Sequence, residues 1–238
     1  MILYGRNPVR EALRGRRAHT VKEIWATEGG AREPWLTNLD VRVHTAAEIE
    51  RHCGSAAHQG ICAEAGGYPY ISAQELLSVS DPLIVALDQV QDPQNLGSIC
   101  RTCECVGVTG IVIPERRAAE VTPAVCKASA GAVEHLRLAR VGNLADFLRD
   151  SSAADCWSYG ASLEDRAVRY DSPDYSGGVV LVFGSEGSGL RPRVAACCDQ
   201  LIALPMHGRV ASLGVAAAAS ALLYGILQSR SAGVDKAP

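Results

Sequence analysis

Three loops of the sequence combine glycine with polar side chains that could bind or activate a substrate. They are residues 88–97 followed by Arg101, residues 184–189, and residues 204–212. The side chains suited to chemistry are Asn95, Arg101, Glu186 and Ser212. A guanidinium group can clamp a phosphate or a carboxylate. Glycine lets a backbone approach a ligand closely, so the three loops together predict a ligand site.

The glycine pattern of residues 184–189 distinguishes between two kinds of cofactor. Its order is G-x-x-G-x-G, whereas dinucleotide-binding loops carry G-x-G-x-x-G. Glu186 would repel a pyrophosphate, but a carboxylate is tolerated beside a positive centre such as the sulfonium of S-adenosylmethionine. The loop therefore favours a methyl donor over the NAD of a dehydrogenase, with a plain tight turn as the structural alternative.

The other polar residues also have ordinary structural explanations. Asn95 could cap a helix, and Ser212 is a natural N-cap for the alanine-rich helix that follows it. Arg101 could be a surface arginine instead of a phosphate clamp. His207 stands alone in a turn, which predicts an exposed side chain and not a ligand.

The elements that must position these loops alternate between strand and helix from Pro82 onward. Predicted strands are residues 83–87, 110–113, 157–161, 179–183 and 201–204. Predicted helices are residues 95–107, 123–132, 144–150, 192–197 and 212–229. Repeated strand–helix units indicate an α/β domain with a mostly parallel sheet. Such sheets bind ligands beyond the carboxyl ends of their strands, where the three loops lie.

The part of the chain before residue 65 has short apolar runs between polar helical stretches. Consecutive glycines at 66 and 67 and a proline at 69 predict a linker over residues 66–80. Its first helix would carry Arg6, Arg10, Arg14 and Arg17 on one face, at spacings of three and four. That face is either solvated or binds RNA phosphates. The net charge of −3 is unusual for a nucleic-acid partner, but the local charge permits one.

Composition excludes several other classes of protein. With 47% hydrophobic and 21% charged residues, the chain can bury a substantial core. Nine cysteines without a secretion signal predict a reduced, cytoplasmic protein. Cys100 and Cys103 have no second ligand pair at a suitable spacing, so we expect no metal. The uncharged run 210–228 is rich in Ala, Gly and Ser, which favours a packed helix over a membrane span.

Taken together, the three loops resemble the three motifs of the SpoU family, in the SPOUT class of RNA methyltransferases. The matching stretches are Asp92-Pro-Gln-Asn-Leu-Gly97 with Arg101, Phe183-Gly-Ser-Glu-Gly-Ser-Gly-Leu190, and Leu204-Pro-Met206 with Ser212-Leu213. Residues 3–13 and 58–61 look like the start and end of a small substrate-binding domain similar to ribosomal protein L30e. That domain is typical of the branch that methylates guanosine 2′-hydroxyls in 23S rRNA.

The resemblance implies a fold, a cofactor and a set of roles. We expect an L30e-like domain over residues 1–65 and, over residues 81–238, a catalytic α/β domain with a deep trefoil knot. Bound S-adenosylmethionine and a homodimer are implied too. Gly184, Leu204, Met206 and Leu213 would line the cofactor pocket. Asn95, Arg101, Glu186 and Ser212 would orient the substrate for methyl transfer to a ribose 2′-hydroxyl, with Arg101 engaging a phosphate.

The third motif departs from the family pattern at two positions. The family reads Ser-Leu-Asn-Val-Ser, whereas this chain has Gly214 and Ala216 in place of the carboxamide and the second hydroxyl. The resemblance as a whole still predicts an S-adenosylmethionine-dependent RNA 2′-O-methyltransferase acting on 23S rRNA. The two departures support the alternative, a catalytically weak RNA-binding homologue that acts in ribosome assembly.

Overall fold

The structure is a computed structural model that describes residues 1–209 and 212–234. Its contacts divide the chain into two compact units. Unit 1 contains Met1–Pro69 and Glu120–His135, and unit 2 contains Tyr70–Ala119 and Leu136–Pro238. Unit 1 is therefore built from two segments that are far apart in sequence. The domain boundaries expected at residues 65 and 81 stay a prediction.

The secondary structure follows in chain order. The strands are β1 (Ile2–Tyr4), β2 (Glu23–Ala26), β3 (Val41–Val43), β4 (Ile61–Glu64), β5 (Leu83–Leu87), β6 (Gly110–Pro114), β7 (Leu138–Val141), β8 (Cys156–Ala161), β9 (Val168–Arg169), β10 (Gly178–Phe183) and β11 (Gln200–Ala203). The helices are α1 (Arg6–Ala12), α2 (Ala46–Cys53), α3 (Ala73–Leu77), α4 (Pro93–Val106), α5 (Pro123–Ala128), α6 (Leu144–Ala153), α7 (Pro192–Ala195) and α8 (Val215–Val234). Short 3-10 helices span Ala18–Thr20, Gly30–Arg32, Pro34–Leu36, Ala56–His58 and Ala132–His135.

Unit 1 is a small α/β unit around a four-stranded mixed sheet in the order β1-β4-β2-β3. Strand β4 pairs antiparallel with both β1 and β2, while β3 pairs parallel with β2 at the edge. Helix α5, from the distant segment, packs against β1 and α1. Helix α2 begins with a capping box in which Thr45 and Glu48 satisfy each other's backbone N–H groups.

The prediction that four arginines share one face of the first helix is wrong for the last two of them. Helix α1 starts at Arg6 and ends at Ala12, so Arg14 and Arg17 lie outside it. Arg17 is only 1% exposed, and its guanidinium binds Glu134 with Nε–Oε2 2.8 Å and Nη2–Oε1 2.5 Å. Arg17 therefore has no free donor for an RNA phosphate. Arg6, Arg10 and Arg14 remain at least partly exposed.

Breaking the ion pair between Arg17 and Glu134 should strongly destabilise unit 1. Replacing Arg17 by methionine would leave the Glu134 carboxylate buried without a partner, which costs about 3–5 kcal/mol of unfolding free energy. The matched variant Arg10→Met, which breaks a partly exposed pair with Glu11, should cost less than about 1 kcal/mol. Urea denaturation measures both values. Equal losses in the two variants would contradict the central role of the buried pair.

Unit 2 holds a seven-stranded sheet in the order β7-β6-β5-β10-β8-β11-β9, and all of its paired strands are parallel. Every residue of β5 and β10 is buried, as expected of central strands with helices on both faces. The five predicted strands are confirmed to within a residue or two. The edge strands β7 and β9 escaped prediction, since both are short and carry an arginine. The predicted α/β class is confirmed.

Two predicted helix caps are wrong. Helix α4 begins at Pro93, and Asp92 is its N-cap, with Oδ1 accepting a hydrogen bond from the Gln94 backbone N–H at 2.9 Å. Asn95 is instead the third residue of the helix. Helix α8 begins at Val215, so Ser212 does not cap it. Residues 210 and 211, where the predicted uncharged run starts, lie outside the described residues.

Helix α8 packs against α4 inside unit 2. The hydroxyls of Thr102 and Ser220 join the two helices by a hydrogen bond of 2.8 Å. The small alanine side chains of α8 are of the kind that suits close packing between helices. Over the residues described, no helix has the length and apolar character needed to cross a membrane.

Candidate functional site

A cavity of about 510 Å³ opens in unit 2 where β8, β10 and β11 reach their carboxyl ends. Small-molecule sites have volumes of about 300–1,000 Å³. After β8 it is lined by Ala161, Ser162, Leu163 and Glu164; after β10 by residues 183–190; and further along by Ile202, Leu204, Met206, Ser212, Leu213, Val215, Ala218 and Leu222. The cavity lies at the sheet edge where parallel α/β folds bind ligands.

The glycine loop after β10 is closed by its own backbone. Ser185 N–H donates to the Gly189 carbonyl at 3.1 Å, and Gly189 N–H donates to the Ser185 carbonyl at 3.0 Å. A Cβ atom on Gly184 would lie 2.1 Å from the Gly189 carbonyl carbon and 2.3 Å from the Leu190 nitrogen. Only glycine fits at position 184, because two backbone segments meet there. The loop is thus a tight turn that also forms one wall of the cavity.

Glu186 connects this loop with the start of α8. Its Oε1 accepts a hydrogen bond from the Val215 backbone N–H at 3.4 Å, and a helix N-terminus favours a negative charge. A Cβ atom on Gly214 would lie 3.1 Å from the same oxygen. The second and third motifs therefore meet at the Glu186 carboxylate, and glycine at 214 leaves room for it.

A buried carboxylate, Asp88, fixes the end of β5 beside the same loop. Asp88 is fully buried; its Oδ2 accepts from the Arg191 backbone N–H at 2.8 Å and its Oδ1 from Arg191 Nε at 2.7 Å. The Asp88 N–H donates to the Phe183 carbonyl at 2.7 Å. These bonds hold the first motif's loop against the second. Sequence reasoning missed both residues, although an aspartate directly after an apolar strand was a signal for a paired buried charge.

Six of the eight predicted catalytic and cofactor residues line this one cavity: Gly184, Glu186, Leu204, Met206, Ser212 and Leu213. Sequence reasoning missed Leu163 and Glu164, which also line the cavity. Their position directly after a predicted parallel strand was a signal, because ligands bind at that edge of the sheet. The roles of all these residues stay predictions.

Asn95 and Arg101, on α4, do not line the cavity. Arg101 is exposed. Within residues 1–209 and 212–234 its side chain has neither an ion-pair nor a hydrogen-bond partner. An unpaired guanidinium on the helix that directly follows β5 is free to bind an external anion.

The described residues offer no metal-binding alternative. They contain no group of three or more His, Cys, Asp or Glu side chains that could hold a metal ion. Burial raises the pKa of Cys103 well above its usual range, with a further contribution from Cys100. Burial likewise raises the pKa of Cys198 to about 12. Both thiols are therefore protonated at neutral pH, which makes neither of them a candidate nucleophile.

The cavity fits S-adenosylmethionine in size and in charge. Its glycine loop forms one wall, and Glu164 and Glu186 are among the residues that line it. Two carboxylates attract a cationic sulfonium and an amino group, but they would repel a pyrophosphate. The aliphatic side chains of Leu204 and Leu222 offer an apolar surface for a flat ring. The residues present therefore suit this cofactor better than a dinucleotide.

Comparison with protein families places both parts of the chain. Residues 82–224 match the model of the SpoU rRNA Methylase family, and residues 2–71 match the model for RNA 2′-O ribose methyltransferase substrate binding. YacO of Bacillus subtilis (strain 168), provisionally assigned as a TrmH family tRNA/rRNA methyltransferase, is 42% identical over 180 residues, covering 73% of this chain and 71% of that protein. A Xanthomonas campestris 23S rRNA (guanosine-2′-O-)-methyltransferase, RlmB, is 35% identical over 90% of both chains.

Solved structures agree with this placement. An S-adenosylmethionine-bound rRNA methyltransferase from Sinorhizobium meliloti superposes with a TM-score of 0.77 at 27% identity, over 95% of this chain and 86% of that one. The SpoU methyltransferase AviRb from Streptomyces viridochromogenes has the same fold, with a TM-score of 0.82 at 23% identity over 97% and 90% of the two chains. The chain thus belongs to the SpoU family of S-adenosylmethionine-dependent RNA methyltransferases.

Proposed function

We propose that this protein methylates the ribose 2′-hydroxyl of a guanosine in 23S rRNA. The observation that carries the proposal is the meeting of the second and third motifs on one cavity of suitable size at the carboxyl edge of the sheet. The match of residues 2–71 to an RNA substrate-binding model supports an RNA substrate. The RlmB relative, whose name specifies guanosine 2′-O-methylation of 23S rRNA, supports the choice of nucleotide and RNA.

The side chains of the site divide the work of the reaction. When bound, the cofactor supplies a methyl group on a positively charged sulfur. Arg101 binds an RNA phosphate and holds the ribose in line, since attack geometry alone supplies much of the acceleration. The hydroxyl must also lose or share its proton. A guanidinium group gives up its proton too reluctantly to be a good base, so we assign Arg101 positioning, with Asn95, Glu186 and Ser212 orienting the ribose.

The proposal includes a homodimer and a knotted catalytic domain in the cytoplasm. Helix α8 exposes the apolar ring of Tyr224 by 48%. Covering this ring with a second copy would remove apolar surface from water, which supports self-association. Light scattering of the purified protein tests the dimer.

A catalytically weak binding homologue is the second candidate, favoured by Gly214 and Ala216. We expect Gly214→Asn to change methyl transfer by less than about tenfold, below the roughly hundredfold worth of one lost transition-state hydrogen bond. The reason is that Glu186 already reaches the start of α8, and its flexible carboxylate can shift to admit the new Cβ. A methyl-transfer assay on the same RNA measures the change.

The control for that variant is Gly208→Ala, a change in the same segment where no atom of the described residues lies within 4 Å of the new Cβ. It should leave transfer unaltered. A hundredfold rise in Gly214→Asn alone would identify the natural protein as a degenerate enzyme and favour the binding role.

The proposed reaction is tested with unmodified 23S rRNA, tRNA and tritiated S-adenosylmethionine. We expect label in 23S rRNA only, on a guanosine whose 3′ linkage has become resistant to alkali, as a 2′-O-methyl group makes it. Label in tRNA would show that tRNA, and not 23S rRNA, is the substrate. Cofactor binding without transfer to either RNA would contradict the enzymatic proposal.

A further inference from the structure

Lys127 stands out among the cations of unit 1 by its position. It lies on α5, in the segment Glu120–His135 that packs into unit 1 from the methylase part of the sequence. Its ammonium lies 6.0 Å from the centre of the Tyr4 ring. A Cβ atom on Gly5 would lie only 2.6 Å from Lys127 Nζ. The lysine therefore reaches across to the loop between β1 and α1.

Within the part of the chain that the structure describes, no counter-charge meets the ammonium of Lys127. Among the residues that the structure describes, no carboxylate forms an ion pair with it and no acceptor takes a hydrogen bond from it. Burial lowers the pKa of Lys127, with no opposing contribution from an acid. An ammonium carries three donors, and leaving them partly desolvated and unmet is unfavourable. A lysine ammonium of this kind can bind an external anion such as a phosphate.

The surroundings of Lys127 are the two N-terminal motifs that the sequence singled out. Gly5 has φ +99°, and its N–H donates to the Ile61 carbonyl at 2.9 Å. Gln59 Oε1 accepts from the Arg6 backbone N–H at 3.2 Å, and the same oxygen lies 3.1 Å from the Cβ position of Gly5. Residues 3–13 and 58–61 thus meet at Gly5, directly beside the lysine.

We propose that Lys127 binds a backbone phosphate of the RNA substrate. The site consists of the Lys127 ammonium, the Tyr4 ring and the backbone around Gly5. The guanidinium of the neighbouring Arg6 is ion-paired with Glu33 at 2.9 Å. A segment matched as methylase would in this way contribute a contact to the substrate-binding unit, whose family model ends at residue 71. The inference rests on the proposed function, because it takes RNA as the ligand.

The test compares Lys127→Met with Lys22→Met, which removes an exposed lysine from the same unit. Methionine keeps the aliphatic stem of Lys127 in place and removes only the charge. Filter binding to unmodified 23S rRNA should give about tenfold weaker affinity for Lys127→Met and a salt slope smaller by about 0.7–0.9, as expected for one lost phosphate contact. Lys127→Arg should keep most of the affinity and the slope.

Stability gives a second readout that separates binding from structure. The ammonium is partly buried and has neither an ion-pair nor a hydrogen-bond partner among the described residues. We therefore expect Lys127→Met to melt at the same temperature as the natural protein or higher. A merely structural lysine would instead lower the melting temperature when removed. Wild-type affinity in Lys127→Met, or equal losses in both methionine variants, would overturn the inference while RNA methylation stands. Failure of the natural protein to bind RNA would instead remove the proposed function itself.

Discussion

Replacing Arg101 by alanine should lower methyl transfer by about a hundredfold or more and leave S-adenosylmethionine binding unchanged. Arg101 is exposed and has no partner among the described residues, so its loss disturbs no internal contact. It also lies outside the cofactor cavity. We expect Arg101 to bind an RNA phosphate and to stabilise the charge that develops as the methyl group is transferred. Single-turnover transfer and calorimetric titration with the cofactor measure the two effects separately.

The control for this variant is Arg149→Ala. Arg149 is an exposed arginine of unit 2 on α6, paired with Asp146. Its replacement removes one positive charge that belongs neither to the cavity lining nor to α4. It should leave transfer within about twofold, since surface pairs of this kind contribute little. Arg101→Lys should recover only part of the activity, because lysine lacks the planar fork that grips a phosphate. Normal transfer in Arg101→Ala would contradict the role of α4 in the reaction.

Replacing Gly184 by alanine should abolish measurable cofactor binding. The new Cβ would overlap the Gly189 and Leu190 backbone at 2.1–2.3 Å, and no side-chain rotation can relieve an overlap with backbone. The loop would have to open, which would break the reciprocal hydrogen bonds between Ser185 and Gly189 and move the cavity wall. Overpacking of this kind costs about 1–3 kcal/mol of stability or more. Calorimetric titration and urea denaturation measure the two losses.

Gly142→Ala is the matched control, because nothing in the described part of the chain lies within 4 Å of a Cβ atom at that position. Gly142 belongs to the same unit and has no positive φ, so alanine should be neutral there. If Gly184→Ala bound S-adenosylmethionine as the natural protein does, the glycine loop would not form the cofactor wall.

The parallel sheet and its ligand edge were predictable because their signals are local. An uninterrupted apolar run such as Leu83–Leu87 can only be a buried strand or helix, and its shortness favours the strand. Gly107 ends α4 in the left-handed conformation at φ +76°, as expected of a C-cap glycine. The order of the elements then placed residues 184–189 and 204–213 at one edge of the sheet.

The burial of Arg17 could not be predicted because its partner is 117 residues away. Spacing alone put Arg6, Arg10, Arg14 and Arg17 on a helix. The chain turns after Ala12, however, where Gly15 passes so close to Glu134 that a Cβ would lie 2.5 Å from the Glu134 carbonyl oxygen. Such long-range contacts leave no periodic pattern. The same holds for Asp88, whose partner Arg191 follows a different strand.

The most direct test of the proposed function compares ribose methylation in 23S rRNA from the source organism with and without the gene. Nucleotide-resolution mapping should show one guanosine that carries a 2′-O-methyl group in the parent strain and lacks it in the deletion strain. A plasmid copy of the gene should restore the modification, and the Arg101→Ala copy should not. An unchanged 23S rRNA methylation pattern in the deletion strain would contradict the proposed function.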